Sequence, residues 1–163
     1  FTDCISRGNS QGIFFCWGVT DGLAQNCDLS DNRDYGVTIG HRDTDNRIVH
    51  CTIERNHKVG LLFRQPLSAF RGAHRNLVEG CTIRDNGFKA EGLGIQFLGE
   101  THDVLLRDNI FADSGQSQQK IGIQVSAEAE GTKISGNTFT GMEQEVVYFP
   151  TTENQSSLAS GSS

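Results

Sequence analysis

The sequence contains little proline and no long apolar segment. Two prolines stand against nineteen glycines in 163 residues, a usage typical of many short strands joined by turns. No run of about 18 apolar residues occurs, so the sequence predicts no membrane-spanning helix. No segment places apolar residues at the 3.6-residue period of an amphipathic helix. We therefore expect a β-rich protein.

Basic residues are also scarce. The chain has 14 Lys and Arg residues against 20 Asp and Glu residues, which gives a net charge of −6. Proteins that bind nucleic acids concentrate Lys and Arg to neutralise phosphates. Here the basic residues are spread along the chain, so we expect no nucleic-acid partner.

A segment at residues 26–32, Asn-Cys-Asp-Leu-Ser-Asp-Asn, recurs along the chain. Altered copies occupy residues 50–56, 80–86, 108–111 and 136–139. Self-similarity at a period of about 20 to 50 residues is the mark of a solenoid, in which each repeat forms one coil. The extra residues of the longer repeats fall between the apolar segments, where a solenoid accommodates loops.

Each repeat also contains a glycine that precedes an apolar-x-apolar strand. These glycines are Gly12, Gly36, Gly60, Gly94 and Gly122. Two further apolar positions follow in every repeat, which predicts three short strands per coil and an apolar interior. We expect an all-β parallel β-helix of about five to six coils over residues 1–150, followed by a flexible Ser- and Gly-rich tail at residues 151–163. Residues 1–20 already have the repeat pattern, so we expect preceding coils to pack on them.

The repeat units resemble a known family. The matching units are residues 36–39 (Gly-Val-Thr-Ile), 122–125 (Gly-Ile-Gln-Val) and 134–139 (Ile-Ser-Gly-Asn-Thr-Phe). They resemble the right-handed parallel β-helix repeat proteins of the pectin-lyase-like superfamily. That resemblance implies a polysaccharide or oligosaccharide partner and an extracellular or periplasmic location. The superfamily includes lyases, hydrolases, epimerases and phage tailspikes, so its fold leaves the activity open.

Cysteine and asparagine occupy two of the repeated columns. Five cysteines cannot all pair, so at least one is free or has an outside partner. Cys27, Cys51 and Cys81 share an inward column that Asn109 and Asn137 continue, and we interpret them as buried reduced thiols. A second column consists of Asn32, Asn56 and Asn86. There asparagine tolerates left-handed backbone, and its amide can bond along the stack.

The repeat alignment brings distant polar residues together in one corner of the coil. It places His74 beside His102 on successive coils, and Arg75 between Asp45 and Asp103. One interpretation is an alternating ladder of surface charges, which contributes little to the stability of the fold. The other is a cleft for an acidic sugar, in which arginines bind carboxylates, a His or Arg removes a proton and aspartates hold Ca²⁺.

The second interpretation assigns three groups of candidate residues. The catalytic candidates are Arg64, His74, His102 and His41. The substrate-binding candidates are Arg42, Arg71, Arg75 and Trp17. The metal candidates are Asp43, Asp45 and Asp103. Trp17, together with Phe14, can offer an apolar platform to a sugar ring, and contact with preceding coils explains the two aromatics equally well.

The longest insertion resembles the pectate lyase signature Arg-x-Pro-x-x-Arg-x-Gly-x-x-His. Arg64, Pro66, Arg71, Gly72 and His74 supply the residue types in order, with different gaps. The resemblance implies that Arg64 is the base. Residues 36–41 similarly resemble part of the polygalacturonase pattern, without its paired catalytic aspartates.

These patterns favour a polysaccharide lyase, or a related enzyme, that acts on a uronate-containing polysaccharide. The alternatives are a non-catalytic glycan-binding or structural β-helix module and a glycoside hydrolase. A hydrolase needs two suitably spaced carboxylates, and the outward strand positions carry Thr38, Leu62 and Gln96.

Overall fold

The computed structural model describes residues 1–68, 71–116 and 118–149, and every regular element within them is a β-strand. The predicted tail at residues 151–163 lies outside the described residues. No helix in the described part is long and apolar enough to cross a membrane. The strands are β1 (Gln11–Phe14), β2 (Leu23–Gln25), β3 (Tyr35–Ile39), β4 (Arg47–Val49), β5 (Thr52–Glu54), β6 (Val59–Phe63), β7 (Ala73–His74), β8 (Leu77–Glu79), β9 (Thr82–Arg84), β10 (Leu93–Phe97), β11 (Thr101–His102), β12 (Leu105–Arg107), β13 (Ile110–Ala112), β14 (Ile121–Val125), β15 (Ala129–Glu130), β16 (Lys133–Ser135), β17 (Thr138–Thr140) and β18 (Gln144–Tyr148).

The strands form four parallel sheets that run along the solenoid. The long-strand sheet has the order β1-β3-β6-β10-β14-β18, and two sheets of three-residue strands have the orders β2-β4-β8-β12-β16 and β5-β9-β13-β17. These sheets confirm the predicted parallel β-helix. A fourth sheet, β7-β11-β15, adds two-residue strands at the corner where the polar residues were predicted to meet.

The interior is built from columns of like residues in register. Val37, Leu61 and Ile95 occupy matching positions on β3, β6 and β10, and all three are fully buried. Aromatic residues stack in the same way: the rings of Phe63 and Phe97 are parallel, with centroids 4.3 Å apart. In-register burial of this kind supplies most of the stabilising free energy of a solenoid.

The glycine column lies within the long strands, one residue after their start, and not before them as the sequence predicts. The lack of a side chain at these positions allows successive coils to approach closely. A Cβ atom added at Gly12 would lie 2.4 Å from the Gly36 carbonyl oxygen, and one at Gly60 would lie 2.6 Å from that of Gly94. Because a larger residue would force the coils apart, glycine is needed in each successive coil.

Buried asparagine amides link the coils along the second predicted column. The side chain of Asn56 donates to the carbonyl oxygen of Leu29, 3.0 Å away, and accepts from both the backbone and the side-chain nitrogen of Asn32 at 3.0 Å. Asn86 repeats this arrangement one coil further on. Bonding along the stack is therefore confirmed.

The left-handed backbone predicted for these asparagines belongs to the residue before each of them. Asp31, Arg55 and Asp85 have φ values of 58°, 52° and 57°. The left-handed residue turns the chain at the corner, and the asparagine that follows points inward. The two functions that the sequence analysis assigned to one residue are thus divided between neighbours.

The cysteines are free, and Cys27, Cys51 and Cys81 are buried as predicted. The Cys51 thiol donates to the carbonyl oxygen of Ala24 at 3.4 Å, one coil below, and Cys81 donates to that of Ile48 at 3.5 Å. Further along the column, Asn109 makes the corresponding bond with its side-chain amide. The buried thiols thus make the same kind of coil-to-coil hydrogen bond as the side chain of Asn109.

The first coil leaves apolar side chains exposed. Phe1 and Ile5 are 72% and 74% exposed, and Phe14 is half exposed. Burial of these apolar side chains against further coils would be energetically favourable. The packing of further coils on residues 1–20 stays a prediction.

The asparagine ladder is testable by replacing Asn56 with alanine. The substitution leaves buried backbone groups of Leu29 and Asn32 without their partners, so we expect a loss of about 3 kcal/mol in the free energy of unfolding. Asn9→Ala, at an exposed position, should change it by no more than about 0.5 kcal/mol. Urea denaturation followed by circular dichroism measures both, and equal losses would contradict the ladder's role.

Candidate functional site

The centre of the candidate site is a pair of histidines on the shortest strands. His74 on β7 and His102 on β11 occupy matching positions in parallel register. Their rings meet edge to face, with centroids 4.7 Å apart and planes 65° apart. The predicted neighbour relation is confirmed, because the backbone pairing of two coils fixes both Cα positions.

Hydrogen bonding determines which nitrogen of His74 carries the proton. The backbone N–H of His102 donates to Nδ1 of His74 at 3.0 Å. In the neutral ring, Nε2 therefore carries the hydrogen, and this atom lies 3.9 Å from Oε1 of Glu100. Burial, reinforced by His102, lowers the pKa of His74. His74 is consequently neutral at pH 7 and carries its hydrogen on Nε2.

His102 faces a carboxylate at each ring nitrogen. Its Nε2 lies 3.2 Å from Oε1 of Glu100, and its Nδ1 lies 3.4 Å from Oε2 of Glu130. The Glu130 side chain is 75% exposed, whereas that of Glu100 is 21% exposed. The less exposed Glu100 can thus orient the His102 ring, while Nδ1 of that ring lies on the side nearer to solvent.

Glu100 is absent from the predicted site residues, although it lies close to both imidazoles. It comes two positions before His102, a spacing that places side chains on the same side of an extended chain. This two-residue spacing is the feature of the sequence that could have indicated Glu100 as a site residue. The repeat alignment does not assign Glu100 to a column, because this residue lies in the corner after β10, where the loop lengths differ between coils.

The atoms of His74, Glu100 and His102 that could bind a metal lie within 4.8 Å of one another. A metal-bound histidine normally donates its other N–H to a partner. His74 instead accepts a hydrogen bond at Nδ1, so coordination through Nε2 would cost that bond. As they stand, His102 is within hydrogen-bonding distance of Glu100, whereas His74 lies 3.9 Å from that carboxylate.

The three aspartates proposed as calcium ligands are not brought together in the described part of the chain. Asp45 is bound by Arg75 through two hydrogen bonds of 2.9 and 3.0 Å. Asp103 lies on the next coil, where its charge raises the pKa of Arg75 as a smaller effect than that of Asp45. These contacts match the interpretation as a surface charge ladder.

Asp43 is fully buried and organises the turns of the first two coils. Its Oδ1 accepts the backbone N–H groups of Gly18 and Val19, at 3.0 and 2.9 Å, and its Oδ2 accepts that of Gly40 at 2.9 Å. Such a carboxylate has few lone pairs left for a cation. Its role in this structure is to hold the backbone.

Arg64 extends back toward the first coil and away from the histidine pair. Its guanidinium donates to the Phe15 carbonyl oxygen at 2.7 Å and to Thr38 Oγ1 at 3.0 Å, and it lies 3.4 Å from Oδ2 of Asp43. It also stacks on Phe14, with Cζ 4.4 Å from the ring centroid. Burial lowers the pKa of Arg64. None of these partners belongs to the histidine cluster.

His41 and Trp17 form a second aromatic contact on the first two coils. Their ring centroids are 4.8 Å apart, and Trp17 is 59% exposed. His41 is buried, and its Nε2 has no hydrogen-bond partner. Both residues have positive φ values, 63° for Trp17 and 43° for His41, a conformation that bulky residues rarely adopt.

Two of the candidate arginines are exposed near the histidine corner. The backbone N–H of Arg42 donates to the Arg71 carbonyl oxygen at 3.0 Å, so the two residues lie on adjacent coils. Their side chains face solvent. Arg71 directly precedes Gly72 and β7, which places it two residues from the strand of His74.

The sequence matches the family described as "Right handed beta helix region" over residues 1–160. The chain therefore belongs to this family. A search of curated proteins finds no significant match. Among solved structures, the chain is similar to the crystal structure of the periplasmic alginate epimerase AlgG, with a TM-score of 0.52 and 14% sequence identity. The match covers 86% of this chain and 36% of the epimerase chain.

The contacts of Arg64 predict a structural role. Arg64→Ala removes the cation beside the buried Asp43 carboxylate, so we expect a loss of about 2 kcal/mol in the free energy of unfolding. Arg71→Ala, in the same insertion but exposed, should remain within about 0.5 kcal/mol of the unmodified chain. Chemical denaturation distinguishes the two, and an Arg64 variant of unchanged stability would contradict this role.

The lowered pKa of His74 predicts a pH dependence of stability. The unfolded chain takes up this proton near pH 6.5, whereas the folded chain takes it up at a lower pH. Protonation therefore favours unfolding, and stability should fall as the pH drops below about 6.5. His74→Gln should remove this part of the loss. Denaturation midpoints at a series of pH values test it, and an identical pH dependence in both proteins would count against it.

Proposed function

We propose that this chain acts on a uronate-containing polysaccharide, as a lyase or a related enzyme that removes a proton beside a sugar carboxylate. The observation that carries this proposal is the His74–Glu100–His102 cluster, in which two imidazoles on rigidly paired strands meet edge to face and Glu100 lies 3.2 Å from His102 and 3.9 Å from His74. Proton transfer by a positioned histidine is a common form of general acid–base catalysis.

His102 is the residue that we assign as the base. In the tautomer with Nε2–H directed to Glu100, Nδ1 carries the lone pair, which becomes available to the substrate when the exposed Glu130 side chain, 3.4 Å away, turns aside. Nδ1 takes the proton from the sugar carbon that bears the carboxylate. In a lyase the electron pair of that bond forms a carbon–carbon double bond, the neighbouring C–O bond breaks, and the departing oxygen takes a proton from solvent water. His74, which is neutral and bonded at Nδ1, positions the cluster.

Removal of this proton requires that the sugar carboxylate be neutralised. Arg42 and Arg71 are suited to that role because they are exposed on adjacent coils and arginine binds carboxylates with two hydrogen bonds. Arg75 is already paired with Asp45, so we place it second. The exposed Trp17 ring is a candidate platform for a sugar further along the chain.

The arrangement favours this chemistry over glycoside hydrolysis. Glu100 and Glu130 are the carboxylates that contact His102, and each lies beside a different nitrogen of its ring. The imidazole thus occupies the space between them. A hydrolase needs that space for a sugar ring and a water molecule or for direct attack on the sugar.

The similarity in fold to a periplasmic alginate epimerase is consistent with this substrate class. Alginate is a polymer of uronic acids, and epimerisation of such a sugar also begins with removal of a proton beside the carboxylate. We extend to this chain a uronate polymer as substrate and an extracellular or periplasmic location. The chain covers about a third of that enzyme, so the residues of a complete cleft can lie partly outside it.

A non-catalytic glycan-binding module is the second candidate. It is favoured by the engagement of Arg64 and Arg75 in internal contacts, which leaves fewer free cations to bind a substrate carboxylate. Such a module would bind the polysaccharide and release it unchanged.

Turnover of polyuronates by the His102→Ala variant tests the proposal. We expect the unmodified chain to produce unsaturated sugars, detected by ultraviolet absorbance, or to exchange the sugar proton for deuterium, detected by NMR. His102→Ala should lower the rate by at least about 100-fold and retain the thermal unfolding midpoint.

His57→Ala is the matched control, because His57 packs against Phe88, away from the corner, and should keep full activity. Each assay is run with calcium and with a chelator. Binding without turnover in the unmodified chain would favour the non-catalytic module, and full activity of His102→Ala would overturn the assignment of the base.

A further inference from the structure

The side chains of the histidine corner converge closely enough to hold one metal ion. Oε1 of Glu100 lies 3.2 Å from Nε2 of His102 and 3.9 Å from Nε2 of His74, and one ligand atom of each residue lies within 4.8 Å of the others. Two ligands of a tetrahedral zinc ion, each bound at about 2.0 to 2.1 Å, are about 3.3 Å apart. Glu100 and His102 already have this separation, and His74 reaches it by a shift of about 0.6 Å.

His102 has the supporting contact of a metal-bound histidine. Such a ligand binds the ion through one ring nitrogen and donates the N–H of the other nitrogen to a carboxylate or a carbonyl group. With Nε2 of His102 on the ion, Nδ1 carries the hydrogen, and it lies 3.4 Å from Oε2 of Glu130. The ring therefore has a ligand position on one side and an acceptor for its N–H on the other.

Coordination by His74 costs one hydrogen bond. Nδ1 of His74 accepts the backbone N–H of His102 at 3.0 Å, and it would carry a hydrogen itself when Nε2 binds an ion. The loss of one neutral hydrogen bond weakens binding by about 10-fold. This cost is small beside the total affinity of zinc sites in proteins, so His74 can serve as the third ligand.

The ligand set and the local charge select the class of ion. Two imidazoles and one carboxylate suit Zn²⁺ and similar transition-metal ions, whereas Ca²⁺ takes six or more oxygen ligands. The carboxylates of Glu100 and Glu130 both lie beside His102. The nearby guanidinium of Arg75 is paired with Asp45, so the corner favours a cation.

We propose that His74, Glu100 and His102 bind one divalent ion of the Zn²⁺ class. Three protein ligands leave the fourth position of a tetrahedral ion open to water or to a ligand. Both rings bind as neutral imidazoles through Nε2 and keep their hydrogen on Nδ1, so no proton is removed from either ring and no change of oxidation state is involved.

The ion and the proposed catalytic base require opposite forms of His102. The base has its hydrogen on Nε2 and its lone pair on Nδ1, whereas the metal ligand has its hydrogen on Nδ1. The two states exclude each other, so Zn²⁺ should inhibit turnover. This effect on turnover rests on the proposed function, whereas the binding site does not.

Titration with Co²⁺, followed by visible absorption, and with Zn²⁺, followed by calorimetry, tests the site. Both use the whole chain with Cys4→Ser and Cys16→Ser, because these exposed thiols can also bind such ions. We expect one ion per chain and a tetrahedral Co²⁺ spectrum that Zn²⁺ abolishes and Ca²⁺ leaves unchanged. A spectrum that Ca²⁺ abolishes equally well would overturn the proposed ligand set.

Substitutions in the same background separate the ligands from the supporting residue. His102→Ala and Glu100→Gln should each lower the affinity by at least about 100-fold, whereas Glu130→Gln, which removes only the supporting carboxylate, should lower it by about 10-fold. Circular dichroism verifies the fold of each variant, and Glu100→Gln changes the shape of the side chain least.

His57→Ala is the matched control, because His57 is a partly buried imidazole that packs against Phe88, away from the corner. It should bind Co²⁺ and Zn²⁺ as the background chain does. Full affinity in His102→Ala or Glu100→Gln, or an equal loss in His57→Ala, would overturn the site.

Turnover of polyuronates with and without Zn²⁺ is measured separately, so that the site and the proposed function can fail independently. Inhibition by Zn²⁺ would support the exclusion of the base by the ion. Ion binding by a chain without turnover would support the site and count against the proposed function. Turnover that a bound ion leaves unchanged would overturn the exclusion.

Discussion

The structure depends on one constraint, the uniform spacing of parallel coils held by backbone hydrogen bonds. Each coil must approach the next closely enough that a Cβ atom at Gly12 or Gly60 would collide with a carbonyl oxygen of its neighbour. The same spacing lets an asparagine such as Asn56 bond to the coils on both sides. Because every column obeys one repeat distance, residues far apart in the sequence become permanent neighbours.

This constraint explains why much of the fold could be predicted from the sequence. A column is defined by its offset from the apolar strand positions, and insertions between strands leave that offset intact. The alignment therefore places His102 next to His74 and lines up the buried cysteines. It also places Arg75 beside Asp45. Predictions of this kind rest on backbone pairing, which the period of the sequence encodes directly.

The remaining features of the site lie in irregular turns, where the repeat period does not determine the direction or contacts of the side chains. His41 and Arg42 both adopt left-handed backbone, with φ values of 43° and 62°, and the residue that follows them, Asp43, is fully buried. Arg64 crosses two coils because its long side chain finds acceptors there. These outcomes depend on the three-dimensional course of irregular turns and on side-chain reach. Glu100, at another corner, is hidden for the same reason.

The division between sheets and corners also bears on how a site can arise in a solenoid. The strands themselves offer little chemistry, because their outward positions carry residues such as Leu62 and Gln96. The two-residue strands β7 and β11 are the exception, since they give His74 and His102 the rigidity of a sheet at the edge of variable loops. Proton transfer requires such fixed geometry, whereas binding residues often lie on loops, as the exposed Arg71 does. A polysaccharide-acting site at this corner would therefore place its base on paired backbone and its binding groups on insertions.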